Sequence, residues 1–426
     1  MSVISRRDWL KATPFTILPA RARGANDRLV GGFIGMGRMG MANLSFALKL
    51  EKDIEVRAVC DVYRPHLEKA VDATHGRAKA VKDFREILAD PEIDFVCIST
   101  PDHWHAYMTV EACKAGKDVF VEKPLSVTVE EAQLMVQAAR KYNRVVQAGT
   151  MQRSGLHFQQ AVEIVRSGVL GKVTFCRTWN YTNMPKSGIG NPPDSDPPPD
   201  LDWDMWLGPA PYRPFNKNRF GVDPKAFSHF RWFWDYAGGM MTDWGVHLLD
   251  IVQWAFDEAM PRSIVALGGK YWLEDNRETP DTLQVTYEYP GFLATYENRY
   301  GNAQSMFDKS YGILFHGDRG TLFVDRSGYR LIPEANATDL AEVEVKRFNN
   351  MNLDHWRNFV EAMRTRKRPI SDVETCARST VTCLLGNVAL RSGLRIDWDE
   401  KNWTTVQPEA RKWLRREARD PWKIKL

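Results

Sequence analysis

The 426-residue sequence predicts an α/β chain of two units: an N-terminal doubly wound parallel sheet, then an α+β unit on a mainly antiparallel open sheet. Three observations predict it. From Leu29 to Ala148 apolar strand-like runs alternate with helical patterns, as in a parallel sheet covered on both faces. A glycine-rich turn, Gly35-Met36-Gly37-Arg38-Met39-Gly40, follows the first run directly and opens the first helical pattern. Beyond Gly149 strand-like runs succeed one another without intervening helices, which indicates antiparallel pairing.

In the first unit strands are expected at Leu29 to Gly35, Glu55 to Cys60, Phe95 to Ser99, Asp118 to Val121 and Val145 to Ala148, with a weak sixth near Ala80. Helices are expected between them at Arg38 to Leu50, Pro65 to His75, Trp104 to Ala115 and Val129 to Tyr142, each with three- and four-residue apolar spacing. The second unit opens with an amphipathic helix, Gly155 to Arg166, and a strand, Val173 to Trp179. The loop Pro185 to Pro214 follows, rich in Pro, Gly and Asp; such length in a compact protein marks a functional or mobile segment. A helix at Gly245 to Phe256 precedes strands at Ser263 to Leu267, Leu283 to Tyr289, Phe292 to Arg299, Tyr311 to Gly317 and Thr321 to Val324. Helices at Leu353 to Arg364 and Val373 to Leu390 are expected to pack back on the first unit. The expected divisions are residues 1–25, 26–150, 151–350 and 351–426.

A hydrophobic share of 43% with 26% charged residues suits a soluble globular chain, and no stretch approaches the ~20 apolar residues of a membrane span. The net charge of +4 is no nucleic-acid footprint, because Arg6, Arg7, Lys11 and Arg21 against Asp8 place three of those charges in the first 22 residues. That segment, Ser5-Arg6-Arg7-Asp8-Trp9-Leu10-Lys11 with a short apolar run to Leu18, resembles a twin-arginine export signal. It implies a periplasmic or exported protein; a disordered tail on a cytoplasmic protein is the alternative. The six cysteines include no C-x-x-C pair, and Cys60 and Cys97 fall on strands separated by a third, ~9 to 10 Å apart and beyond disulfide reach. They read as buried free thiols.

The glycine turn is G-x-G-x-x-G, the Rossmann dinucleotide fingerprint. Gly35 permits the tight turn, Gly37 the approach of pyrophosphate, and Gly40 close packing of helix on strand. The helix start then offers free N–H groups to the phosphates. Asp61 lies 21 residues beyond Gly40, at the end of the second strand, where a carboxylate holds the adenosine ribose hydroxyls. A carboxylate there repels a 2′-phosphate, so NAD is expected over NADP; the nearby Arg64 weakens that preference.

Three further segments point the same way: Ser99-Thr100-Pro101-Asp102-His103-Trp104-His105, Glu122-Lys123-Pro124 and Gly238-Gly239-Met240-Met241-Thr242-Asp243-Trp244-Gly245-Val246-His247. Together with the fingerprint they resemble the Gfo/Idh/MocA family, whose namesakes include glucose–fructose oxidoreductase and inositol dehydrogenase, over about residues 29 to 400. From the residues themselves, Lys123 stands at the carboxyl end of a parallel strand, facing the ligand crevice, where its ammonium can stabilise a developing alkoxide. Asp243 and His247 are four apart and share a helix face, so an imidazole base and a carboxylate are presented together. The resemblance implies that Lys123, Asp243 and His247 are catalytic. It adds Thr100, Pro101, His105, Glu122, Lys123 and Gln152 to the fingerprint residues and Asp61 as cofactor contacts. Arg153, Tyr181, Arg231 and Trp232, with Lys123, Asp243 and His247, are expected at the substrate. Trp179, Trp203 and Trp206 are further ring-stacking candidates, and Asp250 a structural partner. His103 and His105 lack a third ligand nearby, so no metal is expected.

The expected function is NAD-dependent oxidation of a hydroxyl on a sugar, glycoside or cyclitol. Two rivals are a glycoside-cleaving enzyme that recycles bound NAD through oxidation, elimination and reduction, and a non-catalytic sugar-binding protein. Neither a nucleic-acid partner nor a membrane span is expected, and the resemblance implies a homodimer or homotetramer.

Overall fold

In the computed structural model, which describes residues 28–221 and 229–426, near-continuous apolar runs build the first sheet; the expected export signal lies outside the described residues. Its strands are β1 (Leu29–Ile34), β2 (Ile54–Cys60), β3 (Lys79–Val81), β4 (Phe95–Ile98), β5 (Asp118–Val121) and β6 (Val146–Ala148). All neighbours are parallel, in the order β3-β2-β1-β4-β5-β6. The order reverses between β1 and β4, and such a switch point opens a ligand crevice at the strand carboxyl ends. The helices are α1 (Arg38–Leu48), α2 (Arg64–Ala73), α3 (Phe84–Ala89), α4 (Asp102–Lys114) and α5 (Val129–Lys141). Only α3 was not expected; at six residues it is too short to show a period, and its one strong signal is the Asp83 cap on the Arg85 N–H. β1 stops before Gly35, which takes φ +83° to begin the turn.

The second unit contains α6 (Leu156–Arg166), β7 (Val173–Tyr181), the short α7 (Trp203–Leu207), α8 (Lys217–Phe220) and α9 (Gly239–Asp243), and then α10 (Gly245–Ala255). Next come β8 (Ser263–Gly269), β9 (Thr282–Tyr289), β10 (Phe292–Arg299), β11 (Tyr311–Gly317), β12 (Gly320–Asp325), β13 (Gly328–Pro333) and β14 (Val343–Lys346). After α11 (Met351–Thr365) and α12 (Val373–Ser392), β15 (Ile396–Asp399) and β16 (Thr404–Thr405) finish the sheet. Its ten strands run β14-β13-β12-β11-β7-β10-β9-β8-β15-β16. Every pairing is antiparallel except β7 with β10, which is parallel because α10 and two strands intervene between them. β9 alternates buried and open positions, so one face packs on helices while the other presents Val265, Leu267 and Leu293.

The late helices bind the two units together. Trp356 of α11 stacks on Phe120 of β5 at 4.6 Å and lies beside Phe33 of β1, closing one face of the first sheet. α12 packs between α5, α10 and β8, within a core that runs from Val119 in one sheet to Tyr287 in the other. All six cysteines are buried and free.

Arg153 belongs to this framework rather than to a substrate site. Its guanidinium is 2% exposed, with Nε and Nη2 donating to the Asp250 carboxylate at 2.8 and 2.9 Å and Nη1 donating to Glu258 at 2.8 Å. Its donors are thereby spent on α10 and the turn after it, and Asp250, 1% exposed, is its counter-ion. Tyr181 is likewise withdrawn: its ring lies under the Arg299 guanidinium at 3.7 Å, and its phenol meets Glu297. Trp232 is buried beneath Arg277 at 4.4 Å and against the edge of Tyr300. Trp179 is fully buried, and Trp203 stacks on Trp206 at 4.7 Å. Arg153→Met is expected to strand Asp250 without its partner and cost about 3–5 kcal/mol of stability in denaturant unfolding; a neutral effect on stability with a raised substrate KM would return Arg153 to the ligand.

Candidate active site

A groove of about 690 Å³ runs along the carboxyl ends of β1, β2 and β4 and reaches Lys123 at the end of β5. The glycine turn forms its floor. A Cβ on Gly35 would meet the Thr100 N at 2.7 Å, and one on Gly40 would meet the Gly35 carbonyl oxygen at 1.8 Å, so neither position tolerates a side chain. A Cβ on Gly37 would meet only His66, at 3.9 Å, because there the backbone faces open groove. α1 starts at Gly37 with no side-chain cap and no acidic residue in its first turn. Its first N–H groups and dipole are thus left for an anion, which is what a dinucleotide pyrophosphate requires. The exposed Met39 and Arg38 flank the turn.

Asp61 lines the groove while its carboxylate accepts from the Met36 N–H at 2.6 Å and the Tyr63 N–H at 2.8 Å. Lone pairs remain for ribose hydroxyls. Arg64 does not line the groove; Asp200 at 2.5 Å and Glu68 at 3.2 Å hold it. Thr100 and Pro101 line the groove, and among the described residues the buried Thr100 hydroxyl has no partner, which suits it to a bound group. His105 spans the Pro124 carbonyl at 2.7 Å and the Thr100 carbonyl at 2.9 Å, stapling the turn after β5 to the turn after β4. Glu122 accepts from Asn43 Nδ2 at 2.9 Å; burial pushes its carboxyl up, while Asn43 and Lys123 oppose the shift. These residues fit a dinucleotide with its reactive end toward Lys123.

The loop from Pro185 to Pro214 is held down over this region. Leu201 bridges Tyr63, the Arg64 N–H donates to the Asp200 carbonyl at 3.0 Å, and the Asp202 N–H donates to the Val62 carbonyl at 3.0 Å. The carboxyl-terminal tail secures the same loop, with Arg419 donating to the Gly208 and Asp204 carbonyls, and is itself seated on α4 by Trp422 against Trp104 at 4.9 Å. Met205 and Trp206 consequently line the groove, as does Phe220 of α8; Trp206 is one of the ring-stacking candidates, whereas residue type does not disclose Met205 or Phe220.

Lys123, Arg231 and Asp243 line the end of the groove as a charged cluster, and His247 stands behind them, off its lining. Lys123 Nζ donates to Asp243 Oδ1 at 2.6 Å and to the Asp243 carbonyl at 2.9 Å, and Arg231 Nη1 reaches the same Oδ1 at 2.5 Å. Burial pushes the Asp243 carboxyl up, but Arg231 and Lys123 outweigh it and hold it at about 2, ionised at neutral pH. Asp243 ends α9 and His247 lies in the first turn of α10, yet Trp244 between them keeps right-handed angles of −98° and −36°, so the two residues stay on successive turns. Burial, with the charges of Arg326 and Lys123, pushes His247 well below the ordinary histidine range, which leaves a neutral imidazole. Neither of its ring nitrogens has a hydrogen-bond partner among the described residues, and Nδ1 is buried. Gln152 is not on the groove: its Nε2 donates to the His247 carbonyl at 2.7 Å, and its Oε1 accepts from Arg326 Nε at 3.0 Å. Asp102, at the start of α4, is a site residue that the strand-to-helix motif contains but does not single out. Burial pushes it up to about 7, against the pull of Lys123 and Arg231 and with added repulsion from Asp243.

Residues 30–150 match the family model described as oxidoreductase family, NAD-binding Rossmann fold, and residues 155–424 match the one described as oxidoreductase family, C-terminal alpha/beta domain. Inositol 2-dehydrogenase of Salmonella typhimurium is 32% identical over 161 residues, which are 37% of this chain and 48% of that protein. A glycosyl hydrolase family 109 protein of Shewanella baltica is 33% identical over 150 residues, 33% of this chain and 32% of that one. The chain thus spans half or less of the length of these curated relatives. A levoglucosan dehydrogenase in complex with NADH aligns with a TM-score of 0.68 and 16% identity, over 87% of this chain and 99% of that one, a likeness of fold.

Asp102 makes the site sensitive to pH. Its native carboxyl holds a proton more tightly than the unfolded one, so this group's contribution to stability falls as pH rises from the ordinary 3.8 through about 7. Melting of the cofactor-free protein between pH 5 and 8 should therefore show Asp102→Asn gaining on wild type as pH rises; parallel curves would contradict the shift. With a nucleotide groove floored by the glycine turn and both models spanning most of its length, the chain belongs to the Gfo/Idh/MocA family of NAD-binding Rossmann oxidoreductases.

Proposed function

We propose that the protein oxidises a secondary or anomeric hydroxyl of a sugar, glycoside or cyclitol, with NAD bound in the groove and the reverse reduction available at the same site. The observation that carries this reading is the pairing of an oriented ammonium at the end of the groove with a neutral imidazole close behind it that has no hydrogen-bond partner among the described residues. NAD, when bound, supplies the hydride acceptor. Asp243 holds Lys123 by two hydrogen bonds, so the ammonium retains a proton to donate to the substrate oxygen and steady its developing negative charge. His247 is uncharged at neutral pH and takes the hydroxyl proton. Arg231 shares Asp243 and keeps the carboxylate ionised, which prevents Lys123 from losing its partner. The inositol and levoglucosan dehydrogenases similar to the chain support a polyhydroxy substrate.

Asp61 in the groove and the engagement of Arg64 by Asp200 favour NAD over NADP. The anchored loop and tail favour a cofactor that stays bound between turnovers. A retained cofactor, together with the glycosyl hydrolase similar to the chain, supports a second reading: oxidation, elimination and reduction ending in glycoside cleavage with no net change in NAD. The twin-arginine-like start supports export of the folded, loaded protein to the periplasm, which cell fractionation tests. Exposed Val265, Leu267 and Leu293 on the open sheet face support a homodimer or homotetramer.

Denaturing the purified protein should release NAD, and a sugar panel followed for both NADH and product separates the readings. A dehydrogenase gives stoichiometric NADH, whereas recycling gives product without it. Lys123→Met is expected to lower kcat about 10²- to 10³-fold while the nucleotide content stays that of wild type. Undiminished turnover would remove Lys123 from the chemistry.

A further inference from the structure

Arg326, on the turn between β12 and β13, is set apart from the other inward-facing arginines. Arg153, Arg231 and Arg277 are each buried and each ion-paired, to Asp250 and Glu258, to Asp243 and to Asp275. Arg326 is half-buried, yet among the described residues it makes no ion pair, and its only hydrogen bond to a side chain runs from Nε to Gln152 at 3.0 Å. Its guanidinium lies over the Trp244 ring, 4.8 Å from the centroid. A guanidinium stays charged, and withdrawing that charge from water without a counter-ion is costly. Among the described residues no acceptor holds the terminal nitrogens, which leaves them as a planar fork of donors at the edge of the site.

Its position gives that fork a purpose. Gln152 binds Arg326 through one end of its amide and the carbonyl of His247 through the other, so one side chain fixes the fork relative to the imidazole. The charge of Arg326 is felt at both His247 and Asp243. Asp243 cannot serve as its counter-ion, because Lys123 and Arg231 already hold that carboxylate.

We infer that Arg326 is a specificity-determining residue that receives a carboxylate of the substrate, so that the sugar oxidised at Lys123 and His247 is an acid of the uronate or aldonate type. Two parallel N–H donors match the two oxygens of a carboxylate. Trp244 and Gln152 hold the fork flat and in register, so the acid group anchors one end of the sugar while the reacting hydroxyl meets His247. This rests on the proposed oxidation of a sugar hydroxyl and deepens it.

The test compares D-glucuronate, D-galacturonate and D-gluconate with D-glucose, D-galactose and glucose 6-phosphate, for wild type, Arg326→Met and Arg326→Lys. Arg326→Met keeps an apolar stem over Trp244 and removes the charge. The expected result is a wild-type preference in kcat/KM for acids over neutral sugars, with the acid-to-neutral ratio falling about 30-fold or more in Arg326→Met and recovering in part in Arg326→Lys. Calorimetric binding of D-glucuronate to the NADH-loaded protein should weaken in the same order. If no sugar is turned over, the oxidation reading fails by itself and the binding series still decides the role of Arg326. Equal losses on acids and neutral sugars, no wild-type preference, or a preference for the phosphate would overturn the carboxylate assignment.

Discussion

The ion pair between Lys123 and Asp243 is the constraint on which the rest of the site depends. It joins the carboxyl end of β5 in the parallel sheet to α9 in the second unit, so the two units cannot separate without exposing or stranding a buried charge. Such pairs are tolerable only when every remaining donor and lone pair finds a partner. Here Arg231 takes the same carboxylate oxygen, and the Asp243 carbonyl takes a second donor from Lys123. The ammonium is thereby aimed rather than merely present. The same burial and positive charge that make the cluster costly keep His247 neutral, which is the state a proton acceptor needs.

The enclosure of the groove follows a second logic, in which distant segments meet to cover a long cofactor. The loop after β7 pairs with the β2–α2 turn, and the tail pins that loop through Arg419 while Trp422 seats the tail on Trp104 of α4. α11 and α12 return to fill the faces that the first sheet leaves open, so the nucleotide-binding unit is completed by residues from the end of the chain. In the proposed reading, release of a cofactor from this groove requires several of these anchored contacts to open together.

Much of this was legible in the sequence wherever function is tied to local geometry. The glycine turn, Asp61 and Glu122 with Lys123 each sit at a fixed offset from a strand end, so spacing places them at one crevice, whereas spacing puts Asp243 and His247 only on a shared helix face and it is the family resemblance that implies they meet Lys123. Arg153, Tyr181 and Trp232 show the limit. Their residue types suit a sugar, but whether Arg153 meets a ligand or a carboxylate 97 residues away is a tertiary fact with no local signature. Arg326 lies in a hairpin turn with no motif around it, and Asp102 acquires its character only from Lys123, Arg231 and Asp243 closing around it. β14 and β16 carry little local signal, β14 being largely exposed and β16 two residues long, whereas β13 is six residues, mostly buried or half-buried, and outside every expected run. The parallel pairing of β7 with β10 was hidden too, since it depends on which strand β10 finds rather than on either strand's pattern.

The central claim is that one substrate oxygen is shared by the ammonium of Lys123 and the imidazole of His247 beside the nucleotide. A crystal structure of the NAD-loaded protein with a bound sugar tests it most directly. The account predicts a single hydroxyl oxygen within ~3.2 Å of both Lys123 Nζ and a ring nitrogen of His247. A sugar whose hydroxyls contact only one of them, or a His247 ring turned away from it, would contradict the account.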